Sequence, residues 1–146
     1  MELFDYKNND GSSHASLYKQ VITDLHKGDV VSHKVNIVKL DELLKDFNKK
    51  IDLLKIDTEG NEYNVLLGAT SLLKNINAIH FEFNEMNIIS KTTFKDFWDL
   101  LNKDFVFFRI LPYGKLLPIK NYSTIYCEIY HYQNIICLKK EVEIEK

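Results

Sequence analysis

Ile51-Asp52-Leu53-Leu54-Lys55-Ile56-Asp57-Thr58-Glu59-Gly60-Asn61-Glu62 is a short apolar run that ends abruptly in acids and a glycine. Its first seven residues are β-friendly and mostly apolar, which predicts a strand covered on both faces. Thr58 to Asn61 then make a turn. Val65, Leu66, Ala69, Leu72 and Leu73 recur at helical spacing, so Glu62 to Lys74 reads as an amphipathic helix. Ala78-Ile79-His80-Phe81-Glu82-Phe83 returns as a second strand. Strand, helix and strand, with about twenty residues between the strands, form a right-handed βαβ unit with parallel strands.

The flanks extend this unit into an open α/β sheet. Upstream, Asn8 to His14 is rich in turn formers and predicts a loop, and Ala15 to Leu25 a short helix. Lys34 to Leu40 suggests a strand, and Asp41-Glu42-Leu43-Leu44 opens a helix with two acids at its positive end. Downstream, Thr93 and Asp96 have the spacing of a capping box, ahead of a buried stripe of Phe94, Phe97, Trp98 and Leu101. Phe105 to Leu111 predicts a third strand, ended by Pro112 and Gly114. Thr124 to Tyr130 and Asn134 to Leu138 predict two more, and the charged tail from Lys139 to Lys146 is expected to fray. No repeat or linker divides the chain, so residues 1–146 read as a single domain.

Composition narrows the function. The 146 residues include 19 basic and 21 acidic side chains, a balance of −2 that argues against a nucleic-acid partner. No apolar run approaches the roughly 18 residues that span a bilayer, and Met1 to Lys7 lacks the pattern of a signal peptide. Cys127 and Cys137 are expected to be reduced, in a cytoplasmic protein. His14, His26, His33, His80 and His131 show no metal-ligand spacing, and no P-loop, G-x-G-x-x-G or G-x-S-x-G occurs. No metal site is expected.

Ligands of open α/β sheets bind beyond the carboxyl ends of the strands. Two segments qualify: Asp57 to Glu62 after the first central strand, and Glu82-Phe83-Asn84-Glu85 at the end of its neighbour. Adjacent strands lie about 4.8 Å apart, so carboxylates from the two ends can share one pocket. There they could take a proton from a hydroxyl or orient a substrate. Asp57 and Glu82 lead as candidates, because each interrupts an apolar strand. Glu59, Glu62 and Asn84 follow. Glu59 and Glu62 also suit the simpler task of interacting with a helix N-terminus.

The run from Asp52 to Glu62, followed by Val65-Leu66-Leu67-Gly68-Ala69, resembles the DLLKIDVEGAE…VLKGA signature of FkbM-type methyltransferases. Asn8 to Leu17 resembles that family's Asn/Gly/Ser loop ending in Ser-Leu, Leu40 to Leu44 its LDDLL element, and Ile79 to Glu82 its strand ending in glutamate. The resemblance runs from about residue 5 to residue 138. It implies a Rossmann-like sheet that uses S-adenosylmethionine to methylate a hydroxyl of a sugar or other small metabolite. It also implies a glycine-containing cofactor loop and a ribose-binding acid, which precede these motifs in the family. Gly11, Gly28, Gly60, Gly68 and Gly114 are the five glycines, and no two share a motif. No cofactor-binding residue is therefore assigned.

The expected fold is an incomplete Rossmann-like methyltransferase sheet, lacking its N-terminal cofactor-binding strands and closed by an antiparallel C-terminal strand. The strand at Ile51 would then present an unpaired edge. A second copy of the chain, or the missing N-terminal half, is the expected partner along that edge. A non-catalytic interaction module, or one half of a split enzyme, is the alternative to an active methyltransferase. A metal-dependent hydrolase built on the same acids has nothing else to support it.

Overall fold

The computed structural model describes residues 1–7 and 14–141. The chain forms a mixed α/β domain with two sheets. Strands β1 (Glu2–Tyr6) and β2 (Val30–Lys34) make a small antiparallel sheet, with a π-helical turn at Val21–Leu25 between them. Helix α1 (Leu40–Leu43) leads into β3 (Ile51–Ile56), α2 (Glu62–Leu67) and β4 (Ile76–Phe83). Then come α3 (Met86–Ile89), α4 (Phe94–Leu101), β5 (Phe105–Ile110), β6 (Leu116–Ile119), α5 (Thr124–Cys127) and β7 (Gln133–Lys139). The main sheet has five strands in the order β3-β4-β7-β5-β6. β3 and β4 are parallel, as the βαβ reading requires, and the other neighbours are antiparallel.

One face of this sheet holds the core. Ile79, Phe81 and Phe83 alternate inward along β4 and meet Phe94 and Phe97 of α4. Phe81 stacks on Phe97 with centroids 4.4 Å apart, and Phe83 meets Phe94 edge-on at 5.4 Å. These are favourable aromatic geometries, so the aromatic stretches serve packing. The capping box is formed: the backbone N–H of Asp96 donates to the Thr93 side chain at 3.3 Å, and the Thr93 N–H donates to the Asp96 carboxylate at 2.7 Å. Glu128 adds a cap from a distance, accepting from the N–H groups of Phe94 and Lys95 at 2.8 and 2.9 Å.

Several sequence expectations are corrected. β3 lies at the edge of the sheet, as expected, but is not covered on both faces, since Leu53 is 53% exposed. Its apolar character reflects contact with the core through Leu54 and Ile56. α2 stops at Leu67, where Gly68 caps it, and Leu72 and Leu73 reach the core from turns and a 3-10 segment. The helix expected over Ala15 to Leu25 is reduced to its second half, because Ser16 bridges to Phe4 in extended conformation. The strand expected at Lys34 to Leu40 lies upstream at Val30–Lys34, paired with β1. Thr124–Cys127 is helical and buries Cys127, so β-friendly composition there yields to a turn that returns the chain to β7. Lys139 and Lys140 are ordered, with Lys139 in β7. The loop expectation for Asn8 to Ser13, and the fraying expected beyond Glu141, lie outside the described residues.

Candidate functional site

Parallel pairing of β3 with β4 places Ile56 beside Phe81, so Asp57, just past the end of β3, follows next to Glu82 near the end of β4. β7 runs antiparallel to β4, with Asn134 opposite Glu82, and this brings the Tyr130-His131-Tyr132 segment over the same strand ends. The result is a cavity of about 480 Å³ at the carboxyl ends of the parallel strands. Asp57, Glu59, Glu82 and Asn84 line it, and so does Glu85. His14, His26 and Met86 contribute from one side, and Tyr130, His131 and Tyr132 from the other. No lysine or arginine is among the lining residues that the structure describes.

The turn after β3 is built to hold Glu59. Glu59 adopts a left-handed backbone, with φ 53°, and Gly60 follows at φ 102°. A left-handed glutamate costs about 1 kcal/mol or more, so surrounding contacts must hold it. Two do so. The buried Ser16 hydroxyl donates to the Glu59 carbonyl at 2.7 Å, tying the turn to β1. From the other side Glu62, 2% exposed, accepts from the Thr58 N–H at 3.0 Å, the Thr58 hydroxyl at 3.1 Å and the Gly60 N–H at 3.1 Å. Glu62 thus turns inward to brace the loop and does not line the cavity. A Cβ on Gly60 would stand 3.3 Å from the Cβ and carbonyl oxygen of Met86, a tight approach added to a backbone φ that favours glycine.

The other acids have distinct surroundings. Asp57 is paired with Lys55 at 2.6 Å at the solvent edge. Glu82 accepts from the Tyr132 hydroxyl at 2.6 Å, a bond that pushes the phenol's pKa above its ordinary value. Glu59 is half-buried, and burial followed by the carboxylates of Glu82, Asp57 and Glu62 pushes its pKa up to about 7. Asn84 is 6% exposed and lines the cavity, and its Oδ1 accepts from the Met86 N–H at 2.9 Å. The site therefore offers carboxylates, the Asn84 amide and the tyrosine and histidine rings, with one carboxyl poised to exchange a proton near neutrality.

Four of the five candidates read from sequence converge on this cavity, and Glu62 supports it from behind. The lining residues that sequence reading missed fall into two groups. Tyr130, His131 and Tyr132 depend on β7 inserting beside β4, a long-range pairing that no local pattern announces. His14 and His26 arrive with the β1–β2 unit and had only the absence of metal spacing to mark them. Among the described residues no group of three or more His, Cys, Asp or Glu is arranged to hold a metal ion. No helix among them is long and apolar enough to cross a membrane. The cysteines are free and buried.

The sequence model of one protein family, the methyltransferase FkbM domain, matches residues 2–108. A comparison with curated proteins finds no match, and neither does a comparison with solved structures.

Proposed function

We propose, from the premise that this chain belongs to the FkbM methyltransferase domain family, that it forms the acceptor side of a methyl-transfer site acting on a hydroxyl group. The carrying observation is the placement of Glu59. A carboxyl forced into a left-handed turn, braced from two sides and titrating near pH 7, suits removal of a proton from a bound hydroxyl. Glu82, oriented by Tyr132, and Asn84 would position that hydroxyl, while Asp57 shapes the mouth beside Lys55. A hydroxyl both donates and accepts, which matches a wall of carboxylates interleaved with amide, tyrosine and histidine groups. Four carboxylates with no lysine or arginine among the described lining residues disfavour phosphorylated or carboxylated acceptors, so an uncharged sugar or similar polyol fits best.

The family implies S-adenosylmethionine, but the described residues do not form a cradle for it. Met86 closes on Gly60, a Cβ on Gly28 would lie 2.5 Å from the Tyr6 ring, and Gly68 packs against α2 and Lys39. Gly114 stands in open space between β5 and β6. This favours the reading in which the chain supplies one half of a composite site. Two free, buried cysteines are in keeping with a reducing, cytoplasmic setting.

The test is methyl transfer from labelled S-adenosylmethionine to a panel of neutral sugars, sugar phosphates and other hydroxylated metabolites, with calorimetric titration of S-adenosylhomocysteine alongside. Turnover on neutral acceptors should rise with pH through about 7 and fall on the order of 100-fold in Glu59→Gln. Turnover unchanged in that variant would remove Glu59 from the chemistry. No binding and no turnover would leave the non-catalytic half as the standing interpretation.

A further inference from the structure

Between Asp104 and Glu128 the chain carries no acid. That stretch holds Arg109, Lys115 and Lys120, three of the chain's 19 basic side chains and none of its 21 acidic ones, in a protein of net charge −2. It folds into the β5–β6 hairpin and α5. Every residue from Leu111 to Pro118 is exposed. At the hairpin tip Tyr113 is held at φ 65° with its side chain wholly in solvent, and Gly114 follows at φ 73°. A left-handed tyrosine is unfavourable, and this one gains no packing within the chain in return. Leu116 and Leu117 follow in β6, both exposed, and Ile125 and Tyr126 of α5 are 81% and 70% exposed. Arg109, opposite Leu117, ties the two elements together by donating to the Tyr126 carbonyl and to Gln133 Oε1.

We infer that this hairpin tip and α5 dock the chain onto the surface of a bilayer that carries anionic lipids. Charge selects the occupant. Both acceptors of Arg109 are neutral, and the Lys115 and Lys120 side chains form no ion pair or hydrogen bond among the described residues. Three cations therefore stand uncompensated around the apolar groups. Apolar side chains fringed by cations, together with tyrosines of apolar body and polar tip, match a headgroup layer, whereas the core of a protein interface is depleted in lysine. The cavity acids Asp57 and Glu82 stand at the ends of β3 and β4, beyond β7 and β5. Glu82 is three strand spacings from β6, about 14 Å, against a screening length of about 8 Å, so it does not cancel this field. The backbone suits the same setting. Pro112 and Pro118 have no N–H, and the Leu111 and Gly114 N–H groups donate within the turn at 2.7 and 3.1 Å, so the tip takes few unpaired donors into the interface. Pro118 in β6, an edge strand, also discourages a partner protein from adding a strand there.

The inference does not rest on the methyl-transfer reading. Its test is flotation of the 146-residue chain with phosphatidylcholine vesicles, with and without about 30% phosphatidylserine. Binding to the anionic vesicles should exceed that to the neutral ones by about 10-fold or more, and salt at about 0.5 M should release the chain. K115E should weaken binding by about 10-fold or more. The double variant Y113S/L116S, altered only at exposed positions, should weaken it as much and keep its far-UV circular dichroism. Leu53→Ser, exposed at the opposite edge of the sheet, should bind as the parent does. Failure to bind anionic vesicles would overturn the inference. So would binding that Y113S/L116S leaves intact, or that Leu53→Ser loses equally. Self-association without vesicles that Y113S/L116S abolishes would assign the tip to a second copy of the chain and overturn it too.

Discussion

Replacing Glu59 by Gln removes a titration while keeping shape and backbone, so it isolates the electrostatics of the turn. Burial and three neighbouring carboxylates raise the Glu59 pKa from 4.5 to about 7. At face value that shift disfavours the ionised form in the folded state by about 3.4 kcal/mol. The side chain is half-buried, and solvent screening reduces the figure to about 1–2 kcal/mol. The sign follows from linkage. A folded pKa above the unfolded one means that the native state holds its proton more tightly. Stability is then full below about pH 4.5, declines as pH rises, and reaches its deficit above about pH 7. Gln cannot ionise and escapes this decline. Glu59→Gln should therefore match the parent near pH 4.5 and exceed it by about 1–2 kcal/mol near pH 8. In urea denaturation that gain is a midpoint shift of about 0.5–1 M, seen at the higher pH alone. An equal gain at both pH values would point to local packing instead. A parent that gains on the variant as pH rises would refute the electrostatic account.

Other substitutions probe the brace and the scaffold. Glu62→Ala removes three hydrogen bonds to a buried carboxylate and should cost about 3 kcal/mol or more, read by urea denaturation, with the Thr58 and Gly60 amides losing hydrogen-exchange protection. Gly60→Ala places a Cβ against Met86 at φ 102° and should cost about 1–3 kcal/mol, read as a lower thermal midpoint. Thr93→Ala breaks the capping box and should cost about 1 kcal/mol, a modest loss in the same measurement because Glu128 still caps α4.

What was legible in the sequence was local or nearly so. The β3–α2–β4 unit announces itself through a short apolar run, a helical repeat and a second strand, all within contact of one another. Thr93 and Asp96 define α4 through a bond between residues three apart. The misreadings occur where tertiary contacts override composition. Val35 still pairs with Met1 at the end of the small sheet, but Asn36 to Val38 lie in neither sheet despite β-friendly residues, whereas Val30–Lys34 gains a partner in β1. Thr124–Cys127 is rich in β-formers, yet it coils to bury Cys127 and to deliver Glu128 to the start of α4. The position of β7 between β4 and β5 is fixed by packing across the sheet, and with it the tyrosine wall of the site.

The two glutamates of Glu59-Gly60-Asn61-Glu62 show how little separation is needed for opposite tasks. Glu62 enters α2 and points back into the loop, where three donors neutralise the cost of burying it. Because those donors, on Thr58 and Gly60, flank Glu59, the loop is held while the Glu59 side chain has no such hydrogen-bond donor among the described residues. Half-burial first, and then the field of Glu82, Asp57 and Glu62 itself, raise its proton affinity. The brace and the titration are therefore one arrangement: Glu62 rigidifies the turn and contributes to the repulsion that its neighbour feels. A glycine between them is required by both, since it lets the chain reverse within one residue and lets Met86 close behind it. Neither acid could be exchanged for the other's role, because the outward position is set by a left-handed residue and the inward one by the first turn of a helix.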